Sequence, residues 1–150
     1  MILQQLNSTS TMSDTTNRPA IWHLACRVED VPDDGGSCVL IEGRQIAIFH
    51  FKRIGRWYAT DNLCPHRQQM ALSRGMIGTT GEEQVPKVAC PFHKKSFSLE
   101  NGKCLSGDDY CIQTYAVKVE DGMVHVEGPA GYPDSTRNMN PQRFGPTCKL

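Results

Sequence analysis

The sequence has no excess charge of either sign and no long apolar run. Sixteen Lys and Arg residues balance sixteen Asp and Glu residues among 150 residues. Nucleic-acid-binding proteins usually carry a basic excess, so we expect no nucleic-acid partner. A membrane-spanning helix needs about 20 apolar residues, and the longest apolar runs here span only a few, so we expect no membrane association. Residues 1–20 also lack the cationic and apolar regions of a secretory signal, and we expect a cytoplasmic location.

Helical periodicity is also missing. No segment repeats its apolar residues at the 3.6-residue period over several turns. From about residue 22 to 127, short alternating or β-branched apolar runs recur between turn signals, which predicts an all-β domain. The predicted strands span residues 22–27, 37–41, 44–51, 57–61, 85–89, 96–99, 113–120 and 123–127.

Three pairs of turn residues are each predicted to close a hairpin: Glu42-Gly43, Asn101-Gly102 and Asp121-Gly122. The regions outside the strands differ in composition. Residues 1–20 are rich in Ser, Thr and Asn and are predicted to form a disordered arm. Residues 129–150 are rich in Gly and Pro and are predicted to form a tail without periodic structure. The domain itself is therefore expected over residues 21–128.

Cysteine, in contrast, is abundant, and two of the seven cysteines lie in short segments that also contain histidine. The segments are Cys64-Pro65-His66 and Cys90-Pro91-Phe92-His93. Without a secretory signal, metal binding is a more frequent use of cysteine than disulfide formation, and each proline stiffens the backbone after its cysteine. Two sulfur and two nitrogen ligands suit either a tetrahedral zinc ion or a 2Fe-2S cluster. The residue types alone leave both alternatives open.

Each segment mixes one Cys with one His, whereas zinc modules usually place a Cys pair on one turn and a His pair on another. The mixed order resembles the Rieske family of iron-sulfur proteins over about residues 22–127. The resemblance implies an all-β Rieske-type domain of stacked antiparallel sheets with two cluster-binding loops at one end. It also implies a Rieske-type 2Fe-2S cluster, with Cys64 and Cys90 on the inner iron and His66 and His93 on the outer iron.

The long span between the two segments, residues 67–89, carries a second resemblance. Within it, Ser73-Arg74-Gly75-Met76-Ile77-Gly78 is similar to an SRG-x-x-G element of the small subunits of assimilatory NAD(P)H nitrite reductases. Residues 97–105 and 115–119 also look like that family. The resemblance implies a non-catalytic electron-transfer subunit. It also implies a large partner subunit with flavin, a 4Fe-4S cluster and sirohaem, which reduces nitrite to ammonium.

Two other functions remain open. One is a stand-alone Rieske ferredoxin that delivers electrons to an oxygenase. Such ferredoxins have a glycine soon after each ligand histidine, whereas here Arg67-Gln68-Gln69 and Lys94-Lys95 follow the two histidines. The other is a non-redox adaptor subunit of the reductase, which is open because members of the small-subunit family exist without the four ligands.

The segment between Cys64 and Lys95 is locally basic. It contains five basic and two acidic residues, a difference of +3 in a neutral protein: Arg67, Arg74, Lys87, Lys94 and Lys95 against Glu82 and Glu83. We hypothesise that this end of the domain docks on an acidic patch of its redox partner. The alternative is a solvated basic loop without a partner.

The remaining cysteines and histidines have no partner at ligand spacing. Four cysteines are expected to pack as small buried apolar side chains: Cys26, Cys38, Cys104 and Cys111. Cys104 and Cys111 are close enough in sequence to form a disulfide, but a reducing cytoplasm disfavours it. No ligand role is expected for Cys148 or for three histidines: His23, His50 and His125.

Overall fold

β-strands, with short 3-10 turns between them, make up the regular structure of the described part of the chain. The computed structural model describes residues 21–128. Its strands are β1 (Ile21–Arg27), β2 (Gly35–Ile41), β3 (Arg44–Phe51), β4 (Arg56–Asp61), β5 (Leu63–Cys64), β6 (Gln69–Met70), β7 (Met76–Thr80), β8 (Val85–Ala89), β9 (Ser96–Ser98), β10 (Thr114–Tyr115), β11 (Val117–Glu120) and β12 (Met123–Gly128). The 3-10 turns are Val28–Asp30, Lys52–Ile54 and Leu72–Arg74. The predicted arm and tail lie outside the described residues.

All strand pairs are antiparallel, and they form four sheets within residues 21–128. The strand orders are β1-β12-β11, β10-β4-β3-β2, β5-β6 and β7-β8-β9. The prediction of an all-β fold of antiparallel sheets is therefore confirmed. The described residues include no helix that is long and apolar enough to cross a bilayer.

The strand β3 lies between two hydrophobic cores because the four-stranded sheet is covered on both faces. Ile46 and Ile48 point to the core shared with β12, while Ala47 and Phe49 point to the core shared with β8 and β9. Side chains alternate between the faces of a strand, so burial on both faces requires a nearly continuous apolar run. Ile48 and Phe49 are fully buried, and such burial contributes about 1.5–3 kcal/mol per side chain.

Two of the three predicted hairpins are confirmed. Glu42-Gly43 joins β2 to β3 and Asp121-Gly122 joins β11 to β12, with positive φ at both central residues in each turn. Positive φ at both positions matches the right-handed twist of paired strands. Asn101-Gly102 also forms a turn, but its return arm makes only isolated bridges, such as Phe97 to Cys104.

The predicted strand at residues 113–120 is wrong, because the chain changes sheets at Ala116. β10 pairs with β4, whereas β11 pairs with β12. Three observed strands were not predicted: β5, β6 and β7. β5 and β6 have only two residues each, and β7 reads Met-Ile-Gly-Thr-Thr without alternating apolar residues.

Gly75 permits a close approach between the turn Leu72–Arg74 and β8. A Cβ atom at Gly75 would collide with the carbonyl oxygen of Ala89 and lie 2.8 Å from Val88 Cγ2. A Cβ atom at Gly78, in the same sequence element, would meet nothing within 4 Å. Only the first glycine of the element is therefore required by packing.

The Gly75→Ala substitution is expected to lower the free energy of unfolding by about 2–3 kcal/mol, because overpacking against backbone forces the turn away from β8. Gly78→Ala is the matched control and should change it by less than about 1 kcal/mol. Urea denaturation of both variants measures the difference. Equal losses in the two variants would contradict the packing argument.

Candidate metal centre

The four predicted ligands lie in two neighbouring loops at the ends of short strands. Cys64 ends β5, and His66 follows in the turn to β6. Cys90 directly follows β8, and His93 lies in the turn before β9. Both loops are therefore hairpin-like connections whose paired strands fix the position of the cysteine.

The backbone of each loop turns sharply after its histidine. Lys94 N–H donates to Cys90 O at 2.8 Å, and Cys90 N–H donates to Lys95 O at 2.8 Å, which closes the second loop. Lys94 has a φ of 59° and Gln68, in the first loop, a φ of 54°. A side chain in this left-handed region costs about 1–2 kcal/mol. Glycine is suited to these positions, but the chain adopts the turns without it.

The two thiols meet in the interior. Cys64 is fully buried and Cys90 is 1% exposed. The Cys64 and Cys90 side chains share a hydrogen bond, and the backbone N–H groups of His66 and Arg67 donate to the Cys64 sulfur. Burial, together with the contact to Cys90, raises the pKa of Cys64 to about 11. Metal binding at this site therefore displaces the proton from the neutral Cys64 thiol.

The two imidazoles meet on the outer side of the thiols. Their ring centroids are 5.0 Å apart, with the planes at 67° in an edge-to-face arrangement. His93 is exposed, whereas His66 is half-buried and its Nδ1 atom is buried without a hydrogen-bond partner in residues 21–128. Desolvation, with the nearby charges of Arg67 and His66, lowers the pKa of His93. The lowered pKa favours a neutral His93 imidazole, whose nitrogen can bind a metal.

The four side chains form a thiol pair and an imidazole pair and do not surround one common point. In the described part of the chain, no three His, Cys, Asp or Glu side chains converge on a single ion position. A 2Fe-2S cluster of the mixed type takes two Cys on one iron and two His on the other. The buried thiol pair, the outer imidazole pair and the orphaned Nδ1 atom of His66 fit that centre better than a tetrahedral zinc ion.

Two supporting residues were not found from the sequence. The buried Asn62, two positions before Cys64, accepts the Ser73 N–H at 2.7 Å and donates to Gln45 Oε1 at 2.9 Å. It thereby holds the first loop to β3 and to the turn Leu72–Arg74. Tyr110 contacts His66 edge-on, with ring centroids 5.8 Å apart. The only sequence signal for Asn62 is its position two residues before Cys64.

The loop that contains Tyr110 is fixed to the second ligand loop. Lys95 and Asp108 form an ion pair, and Ser96 N–H donates to Ser106 Oγ at 3.0 Å. Cys104 N–H donates to Tyr110 O at 3.0 Å. These contacts place the third loop beside the imidazole pair.

The other cysteines differ in burial. Cys111 is buried, as predicted, whereas Cys26 and Cys104 are half-buried. The prediction for Cys38 is wrong, because β2 is an edge strand and the Cys38 side chain is exposed. Cys104 is a free thiol, so it forms no disulfide with Cys111. Cys148 lies outside the described residues.

The other histidines lie away from the ligand loops. His50 stacks on Trp57, with ring centroids 4.0 Å apart and planes at 9°. His23 lies on β1 and His125 lies on β12.

A small all-β domain in which two Cys-His loops bring together paired thiols and paired imidazoles is an iron-sulfur electron-transfer domain. The family described as the Rieske-like 2Fe-2S domain matches residues 21–127, and the chain belongs to this family. Its cofactor is a Rieske 2Fe-2S cluster.

Several curated proteins are similar to the chain. The NADH nitrite reductase small subunit of Salmonella typhimurium is 32% identical over 107 residues, which cover 71% of this chain and 97% of that protein. The NAD(P)H nitrite reductase large subunit of Klebsiella oxytoca is 35% identical over 105 residues, 70% of this chain but 11% of that protein. The ferredoxin component of the alkene monooxygenase system of Xanthobacter autotrophicus is 30% identical over 101 residues, 67% of this chain and 76% of that protein.

Solved structures show the same fold. The nitrite reductase small subunit of Erwinia carotovora has a TM-score of 0.60 at 31% identity, over 73% of this chain and 83% of that one. A ferredoxin of Sphingomonas yanoikuyae B1 has a TM-score of 0.58 at 30% identity, over 73% of this chain and all of that one.

Proposed function

We propose that the chain is the electron-transfer small subunit of an assimilatory NAD(P)H nitrite reductase, which reduces nitrite to ammonium. The observation that carries the proposal is the similarity to an NADH nitrite reductase small subunit over 97% of that protein's length. Cys64 and Cys90 are proposed to bind the inner iron of the cluster. His66 and His93 are proposed to bind the outer iron.

The side chains explain how this site handles an electron. When bound, a cluster of this type accepts and returns one electron. Two thiolates and two neutral imidazoles balance the +2 charge of two ferric ions and two sulfides, so that reduction is easier than with four thiolates. Cys64 and Cys90 are buried, so water does not reach their sulfur atoms. The His93 ring is exposed and gives the electron a short path to a partner protein.

The proposed partner is the large subunit, with flavin, a 4Fe-4S cluster and sirohaem. A segment similar to this chain forms part of the Klebsiella oxytoca nitrite reductase large subunit. A module that occurs both within such a chain and as a separate chain is suited to work in contact with the catalytic part. We further propose a cytoplasmic location for the complex, where the free thiols of Cys64 and Cys90 stay reduced.

A second candidate function is a ferredoxin that delivers electrons to an oxygenase. It is favoured by the 30% identity to the alkene monooxygenase ferredoxin component. The third candidate is an adaptor that only stabilises the large subunit. The adaptor would not need the four ligands for its effect.

Reconstitution with the purified large subunit tests these candidates. We expect the chain to bind and to raise the rate of nitrite-dependent NAD(P)H oxidation at least tenfold, and the His93→Ala variant to bind without raising it. Equal stimulation by His93→Ala would favour the adaptor. No binding, together with electron delivery to an oxygenase, would favour the ferredoxin.

A further inference from the structure

A groove of about 630 Å³ lies beside the second ligand loop. It runs between the edge strand β2, the turn Leu72–Arg74 and the residues just before His93. The side chains that matter for binding are Cys38, Leu40, Met70, Arg74, Pro91 and Phe92. None of them is a proposed ligand of the cluster.

The walls of the groove expose large apolar side chains. Leu40 is 71% exposed and Phe92 is 62% exposed. Within residues 21–128, β2 pairs only with β3, so its other edge is not covered by a strand. Clustered apolar exposure of this kind marks an interaction site more often than a solvated surface.

The groove and its surroundings are positively charged. Arg74 lines the groove, and Arg67 and Lys94 flank the imidazole pair. In the part of the chain that the structure describes, none of these three forms an ion pair. Lys95, in contrast, is neutralised by Asp108. Charge complementarity therefore favours an acidic ligand for these three cations.

The two segments outside the described residues, 1–20 and 129–150, have no excess of acidic residues. Residues 129–150 contain one acidic and three basic residues, and residues 1–20 contain one of each. Each segment carries a single aspartate and no acidic cluster for the three cations. Charge complementarity therefore favours another molecule as the occupant.

We propose that the groove binds an acidic surface segment of the nitrite reductase large subunit. One apolar side chain of that segment contacts Leu40 and Phe92, and a carboxylate pairs with Arg74. The proposal rests on the proposed function, which names the large subunit as partner. Phe92 directly precedes His93, so a segment held in the groove lies beside the exposed imidazole from which the electron leaves.

The decisive variant is Leu40→Ser with Arg74→Glu, measured for its affinity to the purified large subunit. We expect the Kd to rise at least tenfold, because central apolar contacts and charge reversal both weaken binding. The wild-type Kd should rise between about 0.05 and 0.3 M salt, and the variant should lose most of that dependence. Iron content and reduction potential should stay at wild-type values, because neither residue is a ligand.

The matched control is Leu24→Ser with Arg53→Glu, which changes an exposed leucine and an exposed arginine that do not line the groove. Its Kd should stay within twofold of the wild-type value. Cysteine alkylation of the wild-type chain tests the same groove without a substitution. Alkylation of the exposed Cys38, followed by peptide mass spectrometry, should slow at least fivefold when the large subunit is bound.

Three results would overturn the proposal. If the wild-type chain binds but the groove variant binds equally well and Cys38 is not protected, the groove is not the interface and the proposed function stands. If the wild-type chain does not bind the large subunit, the proposed function fails and the groove proposal with it. If the wild-type chain self-associates and the groove variant is monomeric, the occupant is a second copy.

Discussion

The Cys90→Ser variant is expected to be colourless when purified, with less than about a tenth of the wild-type iron and sulfide. Cys90 is buried beside Cys64, and the two thiols supply the ligands proposed for the inner iron. A serine hydroxyl is a poor ligand for iron in a sulfur-bridged cluster. Loss of one of the two inner ligands therefore removes the cluster rather than shifting its properties.

The control for this variant is Cys104→Ser, which also changes a free thiol in the same half of the domain. It should keep the red-brown colour and the wild-type iron content. Metal analysis and visible absorption measure both variants. Full iron content in Cys90→Ser, or equal loss in the two variants, would remove Cys90 from the ligand set.

The Gly102→Ala variant is expected to lose about 3 kcal/mol or more of unfolding free energy, the largest stability effect that we predict. Gly102 is buried and has a φ of 78°. A Cβ atom there would collide with the carbonyl oxygen of Ile112 and lie 3.1 Å from its carbonyl carbon. Because Ile112 N–H also donates to Gly102 O at 2.8 Å, the two backbones cannot separate without losing that bond.

The Gly122→Ala variant is the control that separates two causes of lost stability, the steric clash of the Cβ atom and the positive φ of the backbone. Gly122 has nearly the same φ, 74°, but a Cβ atom there would meet nothing within 4 Å. The free energy of unfolding of Gly122→Ala should fall by only about 1–2 kcal/mol, the cost of a side chain in the left-handed region. Guanidinium denaturation of both variants measures the difference. A loss at Gly102 no larger than at Gly122 would show that the approach to Ile112 does not constrain the fold.

The type of cofactor was predictable because its sequence signal is local. Each proposed ligand pair lies within four consecutive residues, and the chemistry of thiolates and imidazoles by itself narrows the choice of metal. The conformation after each histidine was not predictable in the same way. Gln68 and Lys94 adopt positive φ without being glycines, so their loops are held by hydrogen bonds such as that from Lys94 N–H to Cys90 O.

The supports of the centre depend on contacts between distant parts of the chain. Asn62 has no sequence feature that shows its bonds to Gln45 and Ser73. The exposure of Cys38 was predicted wrongly for a related reason. Alternation along a strand indicates which side chains share a face, but not that β2 forms the edge of its sheet.

The strand boundaries also divide into those set by local sequence and those set by contacts with distant strands. β3 was predicted with the observed bounds, because its apolar run at residues 46–49 follows the turn pair Glu42-Gly43. The change of sheets at Ala116 was missed, because each half of that segment has a β pattern of its own and only the pairing partners, β4 and β12, separate them. Sequence patterns predict that a segment is extended, whereas the choice of partner is a tertiary property.

Pulsed EPR of the reduced protein, prepared with ¹⁵N-labelled histidine, tests the central assignment most directly. We predict a one-electron-reduced 2Fe-2S spectrum with strong coupling to two histidine nitrogens, and to only one in the His93→Ala variant if a cluster is retained there. A reduced spectrum without histidine coupling, or a colourless protein that contains stoichiometric zinc, would contradict the account.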